Sequence, residues 1–102
     1  MQCEVYVNAE DPSGQTPYLL DIQANLLSDL QTRVVVPLIR SEAFGRKANR
    51  LHPEFMIEGH QVVMATHLLA AVGRRSLDTA VASLMDQRDA VLHAIDVLWS
   101  GV

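Results

Sequence analysis

Arg33-Val34-Val35-Val36-Pro37-Leu38 is the stretch on which the reading of this chain turns. Consecutive β-branched residues favour extended backbone, where their stiff side chains pack without loss. The run is continuously apolar and does not alternate, which predicts a central strand covered on both faces. Pro37 has no N–H to give to a ladder and is expected to mark the strand's end or a bulge.

Working toward the N-terminus, Pro17 opens a second predicted strand, Tyr18 to Gln23, and Gln2 to Asn8 reads as a third with Cys3, Val5 and Val7 on one face. Between them Ala9 to Thr16 holds Glu10-Asp11-Pro12-Ser13-Gly14, turn-formers that predict a mobile loop. Leu26, Leu27 and Leu30 break the strand period and suggest a short turn packed on the sheet. Toward the C-terminus, Ile39 to Leu51 sets Arg40, Arg46, Lys47 and Arg50 against Glu42 alone, with Gly45 interrupting any helix. Glu54 to Ile57 and Gln61 to Thr66 flank Glu58-Gly59-His60, a three-residue hairpin signal. Leu68 to Val72 reads as a further strand ended by Gly73-Arg74-Arg75, an exposed loop, and the segment after Ser76 carries few signals. From Met85 to Trp99 the period becomes helical. Arg88, Val91, Leu92, Ile95, Leu98 and Trp99 share a broad face, Asp86 and Asp89 suit the positive end of the helix dipole, and Gly101 suits a left-handed cap. Antiparallel strands followed by one C-terminal helix make an α+β layout.

The 102 residues form one domain, 1–102, and 49% hydrophobic residues suffice for a single core. A net charge of −4 argues against a chain that binds nucleic acid by bulk electrostatics. The single Cys3 reads as a small buried hydrophobe in a reducing compartment. With no leader-like start and no membrane-length apolar run, a cytoplasmic protein is expected. His52, His60, His67 and His93 are too scattered for a metal motif, and no phosphate cradle, nucleophile elbow or paired-carboxylate motif is present. No cofactor is expected. Trp99, the only Trp, stands in the ending Ala94-Ile95-Asp96-Val97-Leu98-Trp99-Ser100-Gly101-Val102. An aromatic of this size is a typical interface anchor, which suggests that the protein docks through its C-terminus. The competing reading makes Trp99 a continuation of the inward stripe of Leu92, Ile95 and Leu98.

Three stretches in combination carry a resemblance. They are Met1-Gln2-Cys3-Glu4-Val5-Tyr6, the block from Leu20-Asp21-Ile22-Gln23-Ala24-Asn25-Leu26-Leu27 to Thr32-Arg33-Val34-Val35-Val36-Pro37-Leu38, and Ala94-Ile95-Asp96 to Gly101-Val102. On these the chain resembles the CcdB family of type II toxin–antitoxin toxins, end to end, though weakly between Ser41 and Leu84. The resemblance implies an SH3-like antiparallel β-barrel with a small side sheet and a C-terminal α-helix, of the CcdB/Kid/MazF kind, assembled as a homodimer. It further implies an inhibitor that is not an enzyme: the dimer binds the A subunit of DNA gyrase, traps the cleaved-DNA complex, and is neutralised by a CcdA-like antitoxin with a disordered C-terminal segment. DNA is then met only through gyrase or an operator-bound antitoxin, and no membrane is involved.

The family's Trp-Gly-Ile ending matches Ser100-Gly101-Val102, so Trp99 falls one position early, a turn of about 100° on a helix. The implied gyrase contacts are Trp99, Ser100, Gly101, Val102, Asp96, Ala24 and Leu26. The implied antitoxin contacts are Asn8, Glu10, Asp11 and Ser13 in one loop with Arg40, Arg46, Lys47 and Arg50 in the basic stretch, which suits an acidic flexible peptide. Two alternatives remain. One is an mRNA-cleaving endoribonuclease of the MazF/Kid type, with His67, Arg33 and Asp21 as an acid–base set. The other is an inactive relative that binds only its antitoxin.

Overall fold

The computed structural model describes residues 1–101. Seven strands and one helix follow in chain order: β1 Glu4–Val7, β2 Tyr18–Asp21, β3 Thr32–Arg40, β4 Glu54–Ile57, β5 His60–Met64, β6 Ala70–Gly73, β7 Ala80–Ser83 and α1 Arg88–Ser100. Every pairing is antiparallel, in the order β4-β5-β3-β2-β1-β7, with β6 on β3. The sheet curls into a half-barrel, and the fold is α+β as the sequence predicts.

β3 is the hub. Val35 and Val36 point to opposite faces and both are buried, as the β-branched run requires. Pro37, however, neither ends the strand nor bulges it. It stands opposite Leu19 in mid-strand, and its carbonyl accepts the Ala65 N–H at 3.0 Å. On that edge β3 pairs β6 over Thr32–Val35 and β5 over Leu38–Arg40. The missing donor therefore falls where the neighbouring strand changes and no ladder bond is lost. The sheet forks there.

One face of the sheet presents Val5, Leu20, Val36, Leu38, Val62 and Met64 to Val91, Ala94 and Ile95 of α1. Burying aliphatic side chains of this size contributes roughly 1.5–3 kcal/mol each, so tertiary packing holds the helix more than propensity does. The opposite face carries the buried pair Asp21 and Arg33, linked by bonds of 2.6 Å (Nη2–Oδ2) and 3.1 Å (Nε–Oδ2). Gln23, also buried, accepts the Val34 N–H at 3.0 Å and donates to the Leu27 carbonyl at 3.0 Å. The Asp-Ile-Gln block thus joins β2 to β3 and fixes the turn that follows.

Several expectations need correction. Val7 is exposed, and Cys3 lies ahead of β1 with φ +69°. The Cys3 N–H donates to Asp21 at 2.7 Å and its carbonyl accepts from Leu84 at 2.8 Å, a clamp that an extended residue in register could not make. β2 ends at Asp21 because Gln23 turns inward. Leu26, Leu27 and Leu30 do not pack on the sheet; the short 3₁₀ turn Asn25–Leu27 holds them outward, Leu26 at 93% exposure. The β4–β5 loop has two residues, Glu58 (φ +51°) and Gly59 (φ +82°), the signs of a type I′ turn, and His60 belongs to the strand. The strand expected at Leu68–Val72 begins at Ala70, and β7, which pairs β1, lies in the segment with few signals. The Ala9–Thr16 segment is organised by Asp11, whose carboxylate accepts from Ser13 and from the Thr16 N–H. Those bonds hold its carboxyl below the usual range, with the Ser13 hydroxyl the largest cause.

Candidate functional site

The last turn of α1 is an exposed protrusion. Gly101 adopts φ +76°, ψ 12°, and its N–H closes on the Val97 carbonyl at 3.0 Å, the left-handed cap expected of glycine. Ser100 Oγ donates to the Asp96 carbonyl. Val91, Ala94 and Ile95 face the sheet, and Trp99, turned about 100° past Leu98, leaves that stripe with 69% of its surface exposed. The inward reading of Trp99 is thereby overturned. Asp96, Ser100 and Gly101 share the exposed end, and Val102 lies outside the described residues.

Ala24 and Leu26 are exposed as well, but at the other end of the helix. Asn25 Oδ1 accepts the Gln2 N–H at 2.8 Å, and Gln2 Oε1 accepts from Arg88 Nε at 3.1 Å, which ties this turn to the first residue of α1. The rise from Arg88 to Trp99 is about 16 Å. The two parts of the expected target surface are therefore distinct patches at opposite ends of one helix. Arg74 braces the leucine turn by donating to the Ser28 carbonyl at 2.9 Å.

The second expected surface is brought together in part. Arg40 donates from Nε to the Gly14 carbonyl at 2.8 Å, and its N–H donates to Gln15, so the loop containing Asn8, Glu10, Asp11 and Ser13 lies against the end of β3. Asn8 and Asp11 are half-buried, while Glu10 and Ser13 are exposed. Arg46, Lys47 and Arg50 are all exposed on the following segment. Lys47 pairs with Glu54 at 2.9 Å and is the main cause holding that carboxyl below its ordinary value. Arg50, at φ +73°, reaches His93 on α1. A hollow of about 520 Å³ opens between residues 47–54 and the outer face of α1.

The proposed acid–base set does not assemble. Asp21 and Arg33 are buried against each other, with Arg33 only 4% exposed, while His67 hydrogen-bonds His52. Among the described residues no group of three His, Cys, Asp or Glu could hold a metal ion. Two clusters escape sequence reasoning. His52 Nε2 and His67 Nδ1 lie 2.8 Å apart beside the Phe44 ring, and Tyr18 donates to Glu58 at 2.9 Å with His60 Nδ1 3.3 Å away. Burial, reinforced by the Glu58 bond, pushes the Tyr18 phenol up. Neither cluster has a local spacing signature, because each forms only when segments distant in sequence meet.

The Mycobacterium tuberculosis toxin MazF-mt6 superposes with a TM-score of 0.72 over 98% of this chain and 97% of that one, at 10% identity, a likeness of fold alone. No curated protein matches the sequence. The family model described as CcdB protein matches residues 2–101, and the chain belongs to the CcdB family, whose members are toxins of toxin–antitoxin systems. No helix of the described residues is long and apolar enough to cross a membrane.

Proposed function

We propose that this toxin acts in the cytoplasm as a homodimer that binds the A subunit of DNA gyrase and traps the cleaved-DNA complex, without catalysis of its own. The observation that carries the proposal is the exposed indole of Trp99 on the last turn of α1. A half-buried or inward Trp could not anchor a partner, whereas a large aromatic free to enter a pocket commonly dominates binding energy. A twofold dimer offers two such turns to a twofold-symmetric target. Leu26 and Ala24, about 16 Å along the helix, supply a second contact patch.

A CcdA-like antitoxin neutralises the toxin at the surface where the Asn8–Ser13 loop meets Arg40 and the exposed Arg46, Lys47 and Arg50. The local positive charge favours an acidic flexible peptide. DNA is engaged only through gyrase or through the operator-bound antitoxin.

Supercoiling and cleavage assays with gyrase from the native host test the reading. Linear cleaved DNA should accumulate with the wild-type toxin and not with Trp99→Ala. Undiminished supercoiling at saturating toxin refutes it. The endoribonuclease reading draws on the MazF-like fold, and incubation with a long mRNA in the absence of gyrase decides it: sequence-specific fragments are its signature. The position of Trp99, one residue before the place of the family's Trp, favours a third reading of antitoxin binding without a target. Induced expression that fails to kill, together with tight antitoxin binding, identifies that case.

A further inference from the structure

The segment between β3 and β4 has no regular secondary structure, and three imidazoles hold it in place. The Ala48 N–H donates to His52 Nδ1 at 2.8 Å, His52 Nε2 meets His67 Nδ1 at 2.8 Å, and Arg50 Nε donates to His93 Nε2 at 3.2 Å. These bonds dictate the protonation states. A neutral imidazole has one N–H and one lone pair. His52 spends its Nδ1 lone pair on Ala48, so its proton is on Nε2 and is given to His67, whose Nδ1 must be bare. His93 must likewise have a bare Nε2. Protonating any of the three places an N–H where an acceptor is required.

We propose that His52, His67 and His93 form a proton-operated latch that seats residues 43–53 on α1 and on the 66–68 turn at neutral pH and releases them on acidification. The charges facing the latch make release stronger. Arg46 lines the hollow shared by His52 and His67, and Lys47, Arg50 and Glu54 line the hollow in front of His93. The one carboxylate among them, Glu54, is already paired with Lys47. Cations on His52 and His67 would therefore meet a segment that is already basic, whereas Asp89 and Asp96, one turn before and after His93 on α1, would face a cation there, so at His93 the loss of the Arg50 bond acts alone. His60 is the internal contrast. Its neighbour Tyr18 donates its proton to Glu58 and keeps a lone pair, so a protonated His60 still has an acceptor.

The direction of titration agrees. Burial, then the nearby His67, lowers His52 from the ordinary 6.5. A histidine lowered by folding favours the seated form while neutral, so the seating is present above about 6.5 and is lost as pH falls below it. The Thr66 Oγ1 bond to the Leu51 carbonyl, at 2.6 Å, does not titrate and marks the hinge that remains.

Imidazole ¹⁵N spectra and amide hydrogen exchange of the full chain test the latch between about pH 7.5 and pH 5. At the higher pH, His52 and His67 should carry Nε2–H and His93 Nδ1–H. On acidification the Ala48 amide should lose at least about tenfold in protection relative to Val36, the factor by which a single pH step of one changes a proton equilibrium. His52→Ala should show the low protection at both pH values, and His60→Ala should behave as wild type. A proton on Nδ1 of His52 at neutral pH, or Ala48 protection that does not depend on pH in the wild type, overturns the proposal. Should His52→Ala fail to fold, His93→Ala replaces it: protection still falling tenfold with acid excludes His93 from the latch.

Discussion

Replacing Asp21 by Asn tests what holds the second face of the sheet. Asp21 and Arg33 are both buried, and the Asp21 carboxylate accepts two guanidinium hydrogen bonds and the Gln23 N–H at 3.0 Å. Asn keeps the shape but leaves a guanidinium that is 4% exposed without its anion. Breaking a buried pair from one side costs about 3–5 kcal/mol, because the surviving charge stays desolvated. A domain of this size has roughly 5–15 kcal/mol to lose, so the variant should forfeit a large share of its stability and melt about 12–40 °C lower. Urea unfolding should show a lower midpoint with an unchanged slope. The double variant Asp21→Leu with Arg33→Met should recover more than half of the loss, since two apolar groups leave no buried charge. A loss below about 1 kcal/mol in the single variant, the worth of an exposed pair, refutes the reasoning.

Trp99→Ala should change folding stability by no more than about 0.5 kcal/mol, as expected of an exposed site, while weakening target binding by ~2 kcal/mol or more, about thirtyfold, read by calorimetry with the isolated gyrase A protein. Gly59→Ala should cost about 1 kcal/mol in urea unfolding. An added Cβ meets nothing within 4 Å there, so the whole cost is the left-handed backbone at φ +82°. Cys3 should resist iodoacetamide in the native protein and react fully in urea, since burial removes it from solvent and pushes its thiol up from the ordinary 9.0.

Elements whose signal lies in short-range pattern are legible in the sequence. The β-branched run at Val34–Val36, the apolar face of α1 and the cap at Gly101 each follow from local chemistry and stand where the residues predict. Pro37 defeats a local reading because its cost depends on which neighbour its missing N–H would have faced. Leu26, Leu27 and Leu30 defeat it because apolar character does not guarantee burial, and Gln23 turns their segment outward. β7 is invisible beforehand because an edge strand of Ala, Val, Ala and Ser has little intrinsic preference and forms through its pairing with β1. At the candidate site, the exposure of Trp99 hinges on a single residue of helical phase, which composition cannot fix. The histidine contacts join residues 15 and 43 apart and have no signature before the chain folds.

Arg40 holds the loop after β1 by its main chain, through the carbonyl of Gly14 and that of Gln15. A carbonyl is offered by every amino acid, so this anchorage is blind to the identities of Ala9, Glu10 and Pro12. Those positions can be rewritten by mutation while the hub strand and its fork stay as they are. On the antitoxin surface proposed above, such changes would alter which partner is recognised while the scaffold beneath stays the same.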